Sequence, residues 1–185
     1  MRWLTPDLTV ASVYQIDQDR LWQDGLRGII LDIDNTITPW HANEPLPEVH
    51  EWITRARQRG FRICLVSNAR ARRIRYFAQR LGVDHVLAGR KPGRRPFLAA
   101  QMRLSLSPAE VVVVGDQLFT DVVGGKRLGF RTILVDPISS REFIATRLSR
   151  RLEAVILKRL ARLGLLGRAE VDRRLRALFR PRPNV

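Results

Sequence analysis

Five short apolar runs recur along the first 140 residues, and turn-forming residues bound each of them. The runs cover residues 28–34, 61–67, 85–88, 111–116 and 132–136. Four of them are rich in Val and Ile and show no alternation of polar and apolar positions, which is typical of strands buried on both faces. The pattern therefore predicts a parallel β-sheet that is covered by helices.

Stretches with helical spacing lie between these runs, at residues 47–59, 70–81, 95–104 and 119–128. Pro47 falls at a helix start, where its missing N–H costs little, and Gly60, Gly82 and Gly129 fall at helix ends. Alternation of strands and helices is typical of a doubly wound α/β fold, which we predict for residues 1–140.

The C-terminal segment, residues 141–185, has a different pattern, because apolar residues recur there at helical spacing among many arginines. We interpret it as a basic helical appendage of the same domain. Gly164 and Gly167 separate two predicted amphipathic helices. The predicted apolar stripes consist of Ile144, Leu148, Leu152, Val155, Ile156, Leu160 and Leu163 in the first helix and of Val171, Leu175 and Leu178 in the second.

The chain is strongly basic, with 33 Lys and Arg against 18 Asp and Glu among its 185 residues and a net charge of +15. Residues 141–185 contribute +9, and residues 70–95 hold nine basic groups and one acid. This balance predicts a partner that carries phosphates, either a nucleic acid or an anionic lipid surface.

Cysteine and hydropathy exclude several other classes of protein. The single cysteine, Cys64, excludes a disulfide scaffold and a metal site built from cysteines. No apolar run reaches about 18 residues, so we predict no membrane-spanning helix. No signal peptide is apparent either, and we expect a cytoplasmic protein.

Polar residues end the apolar runs or follow them closely, at the sheet edge where ligands bind in parallel α/β folds. They are Asp32, Asp34 and Thr36 at the end of the first run, Ser67 and Asn68 at the end of the second, Lys91 after the third, and Asp116 and Asp121 at and after the end of the fourth. Because the carboxyl ends of parallel strands share one edge, we expect these side chains to form one site.

The composition of this site favours phosphate chemistry. Clustered aspartates without Cys or a His motif favour a hard cation, above all Mg²⁺, and Asp32 and Asp116 with a backbone carbonyl near Asp34 could bind it. One of the first two aspartates could attack a phosphoryl group, while the other transfers protons. Ser67 could donate a hydrogen bond to a phosphoryl oxygen, and Lys91 would place a compact positive charge there.

With these residues in order, the sequence resembles the haloacid dehalogenase (HAD) superfamily of phosphatases. The matching motifs are DIDNT at 32–36, Ser67 after a strand, Lys91, and GDQLFTD at 115–121. The resemblance implies that Asp32 is the nucleophile and Asp34 the general acid/base. It further implies that the substrate is bound by Thr36, Ser67, Asn68 and Lys91, and that the metal site is formed by Asp32, Asp34, Asp116 and Asp121.

A narrower resemblance covers most of the chain. The segments GIILDIDNTITPW, GRKPGRRPF, VVVVGDQLFTDVVGGKRLGF and REFIATRLSRRLEAVILKRL are similar to the III-A type HAD family, whose eukaryotic members are mitochondrial phosphatidylglycerophosphatases. The resemblance implies removal of the terminal phosphate of phosphatidylglycerophosphate, which leaves phosphatidylglycerol in phospholipid biosynthesis.

The motif spacing indicates an open site. Only residues 37–46 separate Thr36 from the next predicted helix, and the interval from Ser67 to Lys91 has room for one helix and one short strand. Neither interval can hold the cap domain that some HAD enzymes insert there. We therefore predict a capless, HAD-like, doubly wound α/β fold with basic amphipathic helices at its C-terminus, and a site that suits a phosphate on something large.

These features favour a Mg²⁺-dependent phosphomonoesterase that acts on a phosphorylated lipid, peripherally at the inner face of an anionic membrane. Two alternatives stay open. The first is a phosphatase of nucleic-acid ends, and the second is a catalytically idle HAD-fold module that binds nucleic acid or the ribosome. The sequence does not predict an oligomeric state.

Overall fold

A six-stranded parallel β-sheet forms the centre of the molecule in the computed structural model, which describes residues 2–40, 42–139 and 144–179. Its strands are β1 (Leu8–Val10), β2 (Gly28–Leu31), β3 (Arg62–Leu65), β4 (Asp84–His85), β5 (Val111–Gly115) and β6 (Arg131–Val135). They lie in the order β1-β6-β5-β2-β3-β4, and every neighbouring pair is parallel. Strand order reverses between β2 and β5, which is where doubly wound folds bind ligands.

Helices cover both faces of this sheet. They are α1 (Gln18–Gln23), α2 (Pro47–Gln58), α3 (Ala71–Leu81), α4 (Arg94–Leu104), a π-helical turn at Leu118–Val122 that continues into α5 (Val123–Lys126), and the C-terminal α6 (Ile144–Arg162) and α7 (Arg168–Leu178). Short 3₁₀ turns lie at Arg2–Leu4, Val13–Gln15 and Pro108–Glu110. The predicted α/β class is confirmed. No helix among the described residues is both long and apolar enough to cross a bilayer.

The five predicted strands and four predicted helices are all present within a few residues of their expected bounds. The sequence pattern does not reveal β1 or α1. Strand β1 has only three residues, of which one is buried, so it offers no periodicity to detect. Its pairing with β6, in which Thr9 lies beside Leu134, is what defines it as a strand.

Successive residues along the central strands pack into two separate cores. Ile29 belongs to the core under α2 and α3, together with Trp52 and Phe77. Ile30 belongs to the opposite core under α4, together with Phe97. Because both faces of the sheet are covered, the strands are apolar without alternation, as the sequence pattern predicts.

The two C-terminal helices pack against the sheet edge through a third, smaller apolar cluster. The predicted stripe of α6 is nevertheless partly wrong, because Leu152, Val155 and Leu163 are exposed while Arg150 and Glu153 are buried. Buried charges are tolerated when they are paired, as these two are. The side chains of the other predicted stripe residues at 144 and 148 lie outside the described residues.

Candidate active site

The predicted site residues meet at the reversal point of the sheet. Asp32 directly follows β2 and Asp116 directly follows β5, and these strands pair so that Leu31 lies beside Val114. The structure brings the predicted residues of the site to this edge of the sheet. Those that are buried there are Asp32, Asp34, Thr36, Ser67, Lys91, Asp116 and Asp121, whereas Asn68 is exposed.

The loop after β2 is a tight turn that folds back on itself. Asn35 has a φ of 61°, a left-handed conformation that Asn tolerates better than most residues. Its N–H donates to the carbonyl oxygen of Thr38 at 2.8 Å, which closes the turn. The turn brings the Thr36 hydroxyl to the Asp32 carboxylate, to which it donates a hydrogen bond of 3.2 Å.

Lys91 forms the positive centre of the site. Its Nζ lies 2.5 Å from Asp32 Oδ1 and 2.6 Å from Asp121 Oδ1. Burial alone would lower the pKa of Lys91, but the carboxylates of Asp121 and Asp32 outweigh that effect and raise it above its usual range. The ammonium group is therefore charged at any physiological pH.

Ser67 and Asn68, which follow β3, hold the loops around this centre. The amide group of Asn68 pairs with the backbone of Lys91, accepting from its N–H at 2.8 Å and donating to its carbonyl at 3.1 Å. This contact positions Lys91 and is a role that the sequence pattern does not indicate. The Ser67 hydroxyl oxygen accepts from the N–H of Ala69 at 3.2 Å, and its own proton can still be donated to a ligand.

Asp121 reaches the site from the π-helical turn. Its Oδ2 accepts from the N–H of Gln117 at 3.1 Å, which leaves Oδ1 for Lys91. The close approach depends on Gly115 at the end of β5, because a Cβ at that position would lie only 2.2 Å from Asp121 Cγ. The turn and the glycine together bring a third carboxylate between those at the ends of β2 and β5.

Three of these carboxylates fit a hard metal ion. Asp32, Asp116 and Asp121 each offer one oxygen, and the three atoms lie within 4.8 Å of one another. Within the part of the chain that the structure describes, Asp116 Oδ1 is buried and has no hydrogen-bond partner. A buried carboxylate oxygen without a donor is costly, and a bound cation would satisfy it. An all-oxygen ligand set suits Mg²⁺.

Burial shifts the pKa values of two of these groups strongly. It raises the pKa of Asp116 to about 7, against the opposing effect of Arg150, and that of Asp121 to about 6, against the opposing effect of Lys91. Both carboxyls therefore hold protons more tightly in the metal-free folded protein than in an unfolded chain.

These shifts predict how stability should depend on pH and on Mg²⁺. Between about pH 4 and pH 7 these two carboxyls bind more protons in the metal-free folded protein than in the unfolded chain, so their contribution to the free energy of unfolding should fall as the pH rises. Mg²⁺ binds only the deprotonated carboxylates. Its stabilising effect should therefore grow over the same range.

Thermal unfolding with and without excess Mg²⁺, at about pH 5 and about pH 7.5, measures both effects. Asp116→Asn should remove most of the difference between the Mg²⁺-induced rises in Tm at the two pH values. Asp172→Asn, which changes an exposed carboxylate of α7, should leave it in place. An equal Mg²⁺-induced rise in Tm at the two pH values would contradict the prediction.

The side chain of Asp34, which the family resemblance also assigns to the metal site, is not part of the three-carboxylate cluster. Its Oδ1 accepts from Arg73 Nε at 2.9 Å and lies 2.8 Å from Arg73 Nη2. Burial raises the pKa of Asp34, the neighbouring Asp32 raises it further, and Arg73 opposes both without cancelling them. A buried carboxyl with a raised pKa beside the nucleophile position is suited to proton transfer.

A basic cleft of about 490 Å³ extends from this side of the site. It is lined by Asn43, Arg70, Arg72, Arg73 and Tyr76. Helix α3 begins here without an acidic residue in its first turn, so no carboxylate of that turn offsets the arginines. The sequence shows a basic region here but does not single out Arg73, because it is one of nine basic residues between 70 and 95.

The doubly wound sheet and the site at its edge define a HAD-type phosphatase. The site combines an aspartate at the nucleophile position, a second aspartate two residues later, a buried lysine and further aspartates after β5. A family model described as mitochondrial PGP phosphatase matches residues 1–139. The chain therefore belongs to the mitochondrial phosphatidylglycerophosphate (PGP) phosphatase family of that superfamily, and the resemblance stated from the motifs is confirmed.

Two relatives and one solved structure show the extent of the similarity. The chain is 36% identical over 163 residues to a probable phosphatase, YqeG, of Bacillus subtilis (strain 168), an alignment that covers 88% of the chain and 95% of the relative. It is 28% identical over 174 residues to phosphatidylglycerophosphate phosphatase 1, chloroplastic/mitochondrial, of Arabidopsis thaliana, covering 89% of the chain and 50% of that relative. An uncharacterized protein from Listeria monocytogenes serotype 4b superposes with a TM-score of 0.50 at 18% identity, over 72% of this chain and 99% of that one, which shows the fold alone.

Proposed function

We propose that this protein is a Mg²⁺-dependent phosphomonoesterase that removes the terminal phosphate of phosphatidylglycerophosphate and leaves phosphatidylglycerol. The observation that carries the proposal is the buried cluster of Lys91 and three aspartates in a chain of the PGP phosphatase family. A bound Mg²⁺ would be held by Asp32, Asp116 and Asp121, and it would neutralise phosphoryl charge that otherwise repels a carboxylate nucleophile.

The first half of the proposed reaction transfers the phosphoryl group to the protein. A carboxylate oxygen of Asp32 attacks phosphorus, and the bond between phosphorus and the glycerol oxygen breaks. Asp34 donates a proton to the leaving oxygen, and its raised pKa favours the protonated form that this step requires. The two contacts from Arg73 hold the Asp34 carboxyl in place for this transfer.

The second half releases phosphate. The Asp34 carboxylate accepts a proton from water as the water oxygen attacks phosphorus, and the bond from phosphorus to Asp32 breaks. Both groups then return to their starting protonation states. Lys91 lies 2.5 Å from Asp32 and places a fixed positive charge where the phosphoryl oxygens gather in both halves.

The basic cleft supports a substrate with a second anionic group. Phosphatidylglycerophosphate carries a phosphodiester in addition to its terminal phosphate. We propose that Arg70 and Arg72, which line the cleft beside Arg73, bind that phosphodiester. Arginine suits this role because its planar donors match phosphate oxygens.

Phosphate release from a panel of substrates tests this proposal. The panel contains phosphatidylglycerophosphate, phosphatidic acid, a sugar phosphate and a 5′-phosphorylated oligonucleotide. We expect phosphatidylglycerophosphate to have the highest kcat/KM. Arg70→Ala combined with Arg72→Ala should raise the KM for phosphatidylglycerophosphate at least about tenfold, because the loss of even one charge-assisted contact costs about that factor. The KM for the sugar phosphate should stay unchanged.

The matched control for the cleft is Arg94→Ala combined with Arg95→Ala, which removes two exposed arginines near Lys91 that do not line the cleft. A preference for the oligonucleotide would contradict the lipid substrate and favour a nucleic-acid end phosphatase. An equal rise in KM for every substrate would contradict the proposed phosphodiester site.

The outer face of α6 supports binding to an anionic membrane. Leu152 and Val155 are more than half exposed there, and so is Leu163 directly after the helix, with Leu165 following at 47%. Exposed arginines share this surface, namely Arg151, Arg159 and Arg162. Apolar groups that insert beside cations are typical of helices that lie on anionic bilayers, where each basic group contributes about 1 kcal/mol.

Flotation with liposomes that contain anionic lipid tests the membrane proposal. Leu152→Asp combined with Val155→Asp should abolish flotation and leave Tm within a few degrees of wild type, because both side chains are exposed. Met102→Asp, at an apolar residue of α4 that is even more exposed, should float like wild type. Unchanged flotation of the α6 variant would contradict the proposal.

A further inference from the structure

Helices α6 and α7 bring a buried cluster of charged side chains to the end of β5. The cluster consists of Arg150 and Glu153 of α6 and Arg174 of α7, each at most 3% exposed. All three residues lie beyond residue 139, where the match to the family model ends. None of them belongs to the motifs that define the phosphatase site.

The two arginines of this cluster converge on Asp116. Arg150 Nη1 donates to the Asp116 carbonyl oxygen at 2.5 Å, and Arg150 Nη2 pairs with Asp116 Oδ2. Arg174 Nη2 donates to the same carbonyl oxygen. Asp116 is thus held at both its backbone and its carboxylate by side chains from the C-terminal helices.

Glu153 joins the two arginines to each other. Its Oε2 accepts from Arg150 Nη1 at 3.0 Å, and its Oε1 accepts from Arg174 Nη2 at 2.7 Å. Burial raises the pKa of Glu153, but the two guanidinium groups outweigh that effect and hold it below its usual range. The cluster is therefore a fixed array of charges rather than a set of mobile surface groups.

The two carboxylate oxygens of Asp116 differ in their contacts. Oδ2 is engaged by Arg150, whereas Oδ1 is the buried oxygen without a partner among the described residues. A carboxylate that is held through one oxygen cannot rotate freely, so the other oxygen keeps one direction. Such outer contacts commonly orient the carboxylates that bind metals.

The residues that α6 buries indicate that the charged cluster has a specific role. The same helix leaves Leu152 and Val155 exposed, at 54% and 63%, while it buries Arg150 and Glu153. Buried apolar side chains would attach the helix at least as well, because charges lose their hydration on burial. The ion-pair cluster is thus a costly way merely to hold a helix in place.

We propose that Arg150, held by Glu153 and Arg174, is a positioning residue of the metal site, and that it orients Asp116 for Mg²⁺. This inference rests on the Mg²⁺ dependence of the proposed function but not on the lipid substrate. It makes the C-terminal helices part of the catalytic apparatus in addition to any contact with a membrane.

Mg²⁺ affinity, measured by titration calorimetry on the full chain without substrate, tests the proposal directly. Arg150→Ala should weaken Mg²⁺ binding by about 10- to 100-fold, as is typical for loss of a contact that orients a metal ligand. Glu153→Gln should weaken Mg²⁺ binding less than Arg150→Ala does. Arg150→Lys should bind Mg²⁺ more tightly than Arg150→Ala but more weakly than wild type. Arg176→Ala, at an exposed residue of α7, is the matched control and should bind Mg²⁺ like wild type.

Each outcome is decisive once folding is checked by thermal unfolding. Wild-type Mg²⁺ affinity in a folded Arg150→Ala variant overturns the proposal, and so does tighter binding, which would mean that Arg150 competes with the metal. If Arg150→Ala does not fold, wild-type affinity in both Arg150→Lys and Glu153→Gln overturns it instead. Absence of Mg²⁺ binding in the wild type overturns the proposed function as well, whereas a different preferred substrate leaves this inference standing.

Discussion

Asp32→Asn is expected to abolish phosphate release, with a loss on the order of 10⁴-fold or more, while the fold persists. The amide has the same shape as the carboxylate but cannot act as the nucleophile. Folding should survive because Lys91 keeps its pairing with Asp121 and can still donate to the amide oxygen, while the amide N–H can donate to the Thr36 hydroxyl. Phosphate release and Tm, measured on the same preparation, check both parts of this expectation.

The control for this experiment is Asp172→Asn, which makes the same chemical change at an exposed position of α7 and should leave turnover unaltered. Activity of Asp32→Asn within about tenfold of wild type would contradict the proposed covalent mechanism. If the wild type itself shows no Mg²⁺-dependent phosphate release from any ester, the idle-module alternative becomes the better interpretation.

Lys91→Met is expected to lower kcat by about 10²- to 10³-fold, a loss typical for removal of one preorganised charge from a transition state. It should also destabilise the fold near neutral pH by about 3–5 kcal/mol, because two carboxylates stay buried without their cation. Added Mg²⁺ should recover part of that stability, since it supplies positive charge to the same three-carboxylate cluster.

Lys91→Arg should not rescue activity. One ammonium nitrogen contacts both Asp32 and Asp121, at 2.5 and 2.6 Å, in a site where the side chain is only 4% exposed. A guanidinium is larger and spreads its donors in a fixed plane, so it cannot reproduce these two contacts in that space. Kinetics and chemical denaturation of both variants provide the test.

Lys126→Met serves as the control for the Lys91 variants, because Lys126 pairs with the carboxylate of Asp7 near the surface. It should cost no more than about 1 kcal/mol of stability and should leave kcat unchanged. Near-wild-type kcat in Lys91→Arg would mean that the site needs only a positive charge at this position, which would contradict the steric argument.

The sheet-edge residues of the site could be predicted from sequence because their positions follow from local pattern. Asp32, Ser67 and Asp116 each come within two residues of the end of a buried strand, and parallel strands place such ends at one edge. This prediction does not require that β2 and β5 are neighbours in the sheet. The structure adds which oxygens pair with Lys91 and which oxygen of Asp116 is left without a partner.

The second set of charged contacts could not be predicted in this way. Arg73 contacts Asp34 across 39 positions of the chain, and Arg150 contacts Asp116 across 34. Each is one arginine in a strongly basic segment, and nothing local distinguishes a solvated arginine from one that reaches into the site. The buried Glu153 is similarly indistinguishable from an exposed acid of an amphipathic helix.

The sequence by itself determined the parallel sheet, its covering helices and the chemistry at its edge, because apolar runs and the residues that end them express local preferences and burial. Only the tertiary structure decided which face of α6 is buried and which arginines belong to the site. The physical reason is that a buried charge is stable only beside its partner, and that partner is brought near by the packing of distant segments. On α6 this pairing outweighed the apolar stripe, so that Arg150 lies inside and Leu152 faces the solvent.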